Sequence, residues 1–294
     1  MRRTVPRIGK FDPMRFLLAL LFSIVAARGG DPSAGPGPQL GLQSWTCRRM
    51  TFEEVASFAC AHHVTYIEFI AQHLDPLAPR AETLRKKALL ERHGLVAYAI
   101  GVAPTSLDQE ANRRLFDFAR LMGIKLIIVE PKSAAEWDQL EALVKEFDIR
   151  IAVHNHGPGT RYADPADVKR ALAGRDPRIG VCLDAGWITT TGFDAAKVFR
   201  DYDGRVFDLH FKDKKRDVTH GAPVWKDTLP GEGDVNFKGL MNEVRQSGWT
   251  GVIAIESDGE EYAADPGPLV DRAASLFREE MSATNRPGVR KVSP

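Results

Sequence analysis

The stretch "GVCLDAGW" (residues 180–187) runs three apolar residues, Val181, Cys182 and Leu183, straight into Asp184, and turns on Ala-Gly before a tryptophan. Aspartate is a common turn starter, so one such ending says little alone. Its meaning depends on how the neighbouring strands end. Seven further apolar runs have strand character: "LGLQSW" (40–45), "VTYIEFI" (64–70), "GLVAYAIGV" (94–102), "IKLIIVE" (124–130), "IRIAVHN" (149–155), "RVFDLHF" (205–211) and "GVIAIES" (251–257). Amphipathic stretches at helical spacing lie between them. In "TFEEVASFACAHH", Phe52, Val55, Phe58 and Ala59 share a face behind Thr51 as N-cap, and "SLDQEANRRLFDFARLMG" carries Leu115, Phe118, Ala119 and Met122 before closing on Gly123. "SAAEWDQLEALVKEF", "DPADVKRALAG", "DVNFKGLMNEVRQSG" and "PLVDRAASLFREEM" behave likewise. Eight strands and eight helices in about 245 residues, with strands apolar on both faces, predict a parallel sheet. The count fits a single α/β domain closed as a (β/α)8 TIM barrel better than an open doubly wound sheet, and no Gly-x-Gly-x-x-Gly turn follows the first strand.

In such barrels the chemistry sits where strands end. Those positions hold Gln43 and Trp45, Glu68, Glu130, His154 and His156, Asp184, His210 and Lys212, and Glu256. Helix capping accounts for two or three of them. Acids converging on one mouth repel unless paired, and a divalent cation is the simplest remedy. Glu130, Asp184, His210 and Glu256 offer three carboxylates and one imidazole, a donor set suited to Mn²⁺, Mg²⁺, Co²⁺ or Zn²⁺. His154 and His156, two apart, point to one side of their strand, as do His210 and Lys212. One histidine can bind substrate or deliver a proton, and Lys212 can hold a substrate oxygen. Glu68 either lines the pocket or caps a helix.

With these residues in place, the sequence resembles the sugar phosphate isomerase/epimerase family, the xylose isomerase-like barrels, over most of residues 40–283. The carrying segments are "VEP" (129–131), "VHNHG" (153–157), "DPRIGVCLDAGW" (176–187), "GRVFDLHFKD" (204–213), "LPGEGDVNF" (229–237) and "GVIAIES" (251–257), in that order. The resemblance implies a metal held by Glu130, Asp184, His210 and Glu256, with the two glutamates as acid/base groups beside a sugar. It implies proton abstraction next to a carbonyl through an enediolate, leading to isomerisation or epimerisation. A branch of the family that eliminates the aglycone from 3-keto-glycosides is also resembled, through "HNHG", "AYAIGV" and the N-terminus. Many relatives read Asp-x-Gly-His where this chain has "DAGW". Trp187 cannot exchange protons as imidazole does; it either stacks on a sugar face or packs under the next loop. A non-catalytic carbohydrate-binding barrel is the alternative of another class. Endonuclease-type members need more histidines and a basic face, which this chain lacks.

The formal net charge is +1, but residues 1–27 hold +4 of it, leaving −3 for the remainder and no polyanion-binding surface, hence no nucleic acid partner. That basic start precedes the apolar run Phe16 to Ala27, too short for a membrane span. We read residues 1–27 as a signal peptide, 28–39 as a flexible leader, 40–283 as the barrel and 284–294 as a disordered tail, in a secreted or periplasmic protein. Cys182 is expected in the core, while Cys47 and Cys60 are available to pair. A homo-oligomer stays open, and the long segment 212–233 is either a lid or a subunit contact.

Overall fold

The computed structural model describes residues 37–283 except 220, 222 and 223. The expected signal peptide, most of the leader and the tail lie outside the described residues. Eight parallel strands close into one barrel: β1 (Gln39–Gln43), β2 (Tyr66–Phe69), β3 (Val96–Ala103), β4 (Leu126–Val129), β5 (Arg150–His154), β6 (Ile179–Asp184), β7 (Val206–Phe211) and β10 (Val252–Ile255). Between β7 and β10 the chain adds an antiparallel hairpin, β8 (Asp213–Asp217) and β9 (Val224–Thr228). The described residues of the segment 212–233 thus carry a hairpin beside the mouth.

Helices follow the strands: α1 (Phe52–Ala61), α2 (Arg80–Arg92), α3 (Gln109–Met122), α4 (Ala134–Phe147), α5 (Pro165–Leu172), α6 (Ala185–Thr190), α7 (Ala195–Asp201), α8 (Phe237–Ser247), α9 (Glu260–Ala264) and α10 (Gly267–Ser282). Their starts obey local chemistry. Thr51 and Glu54 form a reciprocal capping box on α1, Asp108 accepts from two amides of α3, and Ser133 caps α4. Gly123 and Gly248 end α3 and α8 at φ +84° and +65°, where a side chain would be strained. Among the described residues two more helices form than expected, because the β6–β7 crossover splits into α6 and α7 and a short α9 precedes α10.

The main core lies between strands and helices, and a smaller one of Tyr98, Ala99, Leu126, Ile128, Ala152, Cys182, Phe207, Val252 and Ala254 plugs the barrel. Strand parity then dictates what stands above that plug. Following Ile128, Ala152, Cys182 and Ala254 by two residues gives Glu130, His154, Asp184 and Glu256. Cys47, Cys60 and Cys182 are all free thiols.

Candidate active site

Asp184 closes β6 and caps α6 at once. Its Oδ1 accepts from the Trp187 amide at 2.8 Å, leaving Oδ2 for the barrel mouth. Asn155 pins the same residue by its backbone, accepting from the Asp184 amide at 3.0 Å and donating to its carbonyl at 3.2 Å. The adjacent strands β5 and β7 bring His154 and His210 to that free oxygen, β10, next beyond β7, brings Glu256, and the four residues place a donor atom each within 4.8 Å of one another. His210 Nδ1 lies 2.8 Å from Glu256 Oε2 and 3.2 Å from His154 Nε2.

Glu130 stands beside this quartet. Its Oε1 lies 3.4 Å from His154 Nδ1 and 2.5 Å from His156 Nδ1. Three of the four residues expected to hold a metal, Asp184, His210 and Glu256, therefore come together directly, and the fourth place in the compact group falls to His154. Burial works to raise the Glu130 carboxyl, but the imidazoles of His154 and His156 outweigh it and hold the group at about 2.

Lys212 enters the same space. Its side chain is 1% exposed, and Nζ lies 3.3 Å from Asp184 Oδ2, 3.1 Å from Glu256 Oε2 and 2.9 Å from Asp258 Oδ2. Burial alone would raise Asp184 and Glu256; the Lys212 charge, with the adjacent imidazoles, keeps both below the usual carboxylate range. Asp184 Oδ2 and Glu256 Oε2 are nevertheless buried without accepting a hydrogen bond. Such oxygens face charges at close range but no directed donor, a state that a cation resolves. The donor set fits a divalent metal held by Asp184, His210 and Glu256, with His154 or Glu130 completing it.

A cavity of about 400 Å³ opens above, lined by Gln43, Trp45, His154, His156, His210, Glu256 and Asp258 among others. Gln43 bridges to Gly101 O at 3.2 Å and Glu68 Oε1 at 3.4 Å. Glu68 does not line the cavity; it is fully buried below His210, where burial pushes its carboxyl up to about 7 against the lowering pull of His210. Trp187 packs against Lys214, whose Nζ lies 3.9 Å from the ring centroid, and against Gly157.

Sequence reading missed several groups. Asp208 and Tyr98 meet beneath His210, Asn155 locks β5 to β6, and Asp258 with Asp227 anchors the two buried lysines. Parity carried a signal for Asp208, which precedes His210 by two on β7. Nothing comparable marked Asp227, which lies on a strand outside the barrel.

Fold and mouth together define a (β/α)8 barrel with carboxylates and imidazoles gathered at the carboxyl ends of its strands. The chain belongs to the xylose isomerase-like TIM barrel family, whose pattern matches residues 57–280. An inosose dehydratase from Lacticaseibacillus casei is 26% identical over 188 residues, covering 51% of this chain and 63% of that protein, so the match spans less than two thirds of it. An inosose dehydratase from Clostridium tetani is 24% identical over 286 residues, covering 83% of this chain and 92% of the relative. Among solved structures, a protein from Parabacteroides distasonis superposes with a TM-score of 0.64 at 26% identity, covering 82% of this chain and 98% of that one. The IolI protein with a bound zinc atom gives 0.64 at 14% identity, covering 83% and 99%. A D-tagatose 3-epimerase-like protein gives 0.63 at 15%, covering 83% and 100%. The last two establish likeness of fold.

Proposed function

We propose that this chain is a divalent-metal-dependent enzyme that removes a proton from the carbon beside the carbonyl of a sugar or sugar-like polyol. The observation that carries the reading is the quartet of His154, Asp184, His210 and Glu256, with two buried carboxylate oxygens that accept no hydrogen bond, at the edge of a cavity. When bound, a divalent cation supplies polarisation of the carbonyl and stabilisation of the negative charge that develops on its oxygen. The protein supplies the bases. In the closed barrel β4 and β10 stand four strands apart among eight, so Glu130 and Glu256 face each other across the mouth. A carboxylate on each side suits removal of a proton from one face and its return to the other, the requirement of an epimerase. Return to the neighbouring carbon gives isomerisation.

A second reading, elimination, is favoured by one particular contact. His156 Nδ1 sits 2.5 Å from Glu130 Oε1 and its side chain is 38% exposed at the cavity, which supports delivery of a proton to a departing oxygen. The relatives named inosose dehydratases, enzymes that remove water, support it. A 3-keto-glycoside losing its aglycone is the corresponding reaction for an exported protein, and the basic, apolar run of residues 1–27 supports export.

Exchange of substrate C–H for solvent deuterium tests the proposal, with free ketoses and 3-keto-glucosides compared in the presence of Mn²⁺ and of a chelator. Metal-dependent exchange without a leaving group is the isomerase or epimerase outcome; release of the aglycone is the elimination outcome. Exchange that persists undiminished under chelation refutes metal dependence. Sugar binding without exchange would instead make the chain a non-catalytic carbohydrate-binding barrel.

A further inference from the structure

His210 presents its two ring nitrogens to two different environments. Nδ1 faces Glu256, Asp184 and His154, at 2.8, 3.8 and 3.2 Å. Nε2 faces downward into the barrel, where Glu68 Oε2 lies at 2.9 Å and Asp208 Oδ2 at 3.5 Å. Those two acids are fully buried and stand apart from the residues that line the cavity. A carboxylate enclosed in this way is costly unless a charged or N–H partner meets it. For Glu68 the nearest such partner is His210. Gln43 and the Tyr98 hydroxyl approach Glu68 only at 3.4 and 3.5 Å, while the same hydroxyl lies 3.0 Å from Asp208 Oδ1.

The two nitrogens of a neutral imidazole cannot both carry lone pairs, so whichever accepts a proton fixes the role of the other. A carboxylate against Nε2 demands N–H there and leaves the Nδ1 lone pair aimed at the mouth. β2, which carries Glu68, and β7, which carries His210, are separated by β1 and β10, so the contact crosses the barrel interior rather than following the sheet. Helix capping, the other role open to Glu68 on sequence, is absent: the α2 N-cap is Pro79.

We propose that Glu68 is a positioning residue for the metal centre: by accepting from Nε2–H it fixes the tautomer and ring orientation of His210, so that Nδ1 is the metal-ligating atom. Asp208 is held by Tyr98 and Cys182 and supports the floor of the same pocket. The inference rests on the metal site proposed above.

The test measures Mn²⁺ and Zn²⁺ affinity of the full chain by chelator competition, without reference to turnover. Glu68→Gln keeps the shape and removes the charge; a weakening of about 10–100-fold is expected. Asp208→Asn, farther from the ring nitrogen, is expected to weaken binding less. Should Glu68→Gln not fold, nitrogen-15 NMR of the Zn²⁺-loaded wild type reads the same point directly: the His210 ring carries its proton on Nε2 and ligates through Nδ1. Ligation through Nε2, or an affinity in Glu68→Gln within twofold of wild type, overturns the role of Glu68 alone. A wild-type chain that binds neither metal overturns the metal site itself, and the role of Glu68 falls with it.

Discussion

Lys212 carries a positive charge into a place where its side chain is 1% exposed, with carboxylate oxygens of Asp184, Glu256 and Asp258 within 3.3 Å. Removing one partner of a buried charge cluster costs about 3–5 kcal/mol, because the rest is left uncompensated. Lys212→Met is expected to lose about that much stability in metal-free protein, read by urea unfolding under chelation. Added Mn²⁺ should stabilise the variant more than the wild type, since the cation replaces the missing charge. Equal stabilisation of the two proteins would count against the shared site. Trp187 gives a second expectation. A methyl at Gly157 would lie 2.5 Å from Trp187 Cε3, so Gly157→Ala should cost about 1–3 kcal/mol through overpacking. The cost should vanish when Trp187 is replaced by leucine in the same chain; a cost that survives would place the strain elsewhere.

At the level of elements, the hairpin β8–β9 is the addition that most distinguishes the mouth. Asp227 on β9 pairs with Lys214 on β8, and its other oxygen accepts from Ser257 Oγ at 2.7 Å and the Asp258 amide at 2.6 Å. One buried carboxylate thus ties the hairpin to the loop that holds Asp258 against Lys212. Asp227→Ala is expected to release it, with tryptic cleavage within 214–226 rising by about tenfold or more while the barrel still melts cooperatively. Unchanged cleavage would mean that Asp213, which accepts from the Gly231 and Gly233 amides, suffices as anchor. The barrel strands were legible in the sequence because most of them are apolar on both faces over their middle residues, with β7, which carries Asp208, an exception. The hairpin was not: "DKKRD" and "VWKDT" show no apolar alternation, since the two residues that β8 buries, Asp213 and Lys214, are charged and β9 is exposed or half-buried throughout. Of the eight helices expected, α2 has the weakest stripe, because it buries only Thr83 and Leu90. Glu130, His154, Asp184, His210 and Glu256 were legible by position and parity. Which of them cluster most tightly was not, because that depends on side-chain direction beyond the strand ends.

For the whole molecule, charge pairs at both ends of the barrel set the response to acid. Away from the mouth, Arg178 grips Asp176 through two nitrogens at 2.9 Å each and holds its carboxyl at about 2, below the ordinary 3.8. A folded-state value below the unfolded one adds stability that is present above pH 4 and is lost as pH falls through about 2. Asp176→Asn is therefore expected to melt below wild type between pH 5 and 7, with the two curves converging toward pH 2. Parallel curves across that range would show that the ion pair contributes nothing to acid sensitivity.

The divided duty of Asp184 has a further consequence. One oxygen holds the first turn of α6 and the other faces Lys212 and the two imidazoles, so the helix that carries Trp187 hangs from the same carboxyl as the site. A rotation of about the C–C bond of that single side chain is felt at both places together. Tilting the carboxyl to meet a new partner in the mouth loosens the helix start, and anchoring the helix more firmly restricts what the mouth can accept. At this position the architecture and the chemistry cannot be varied independently.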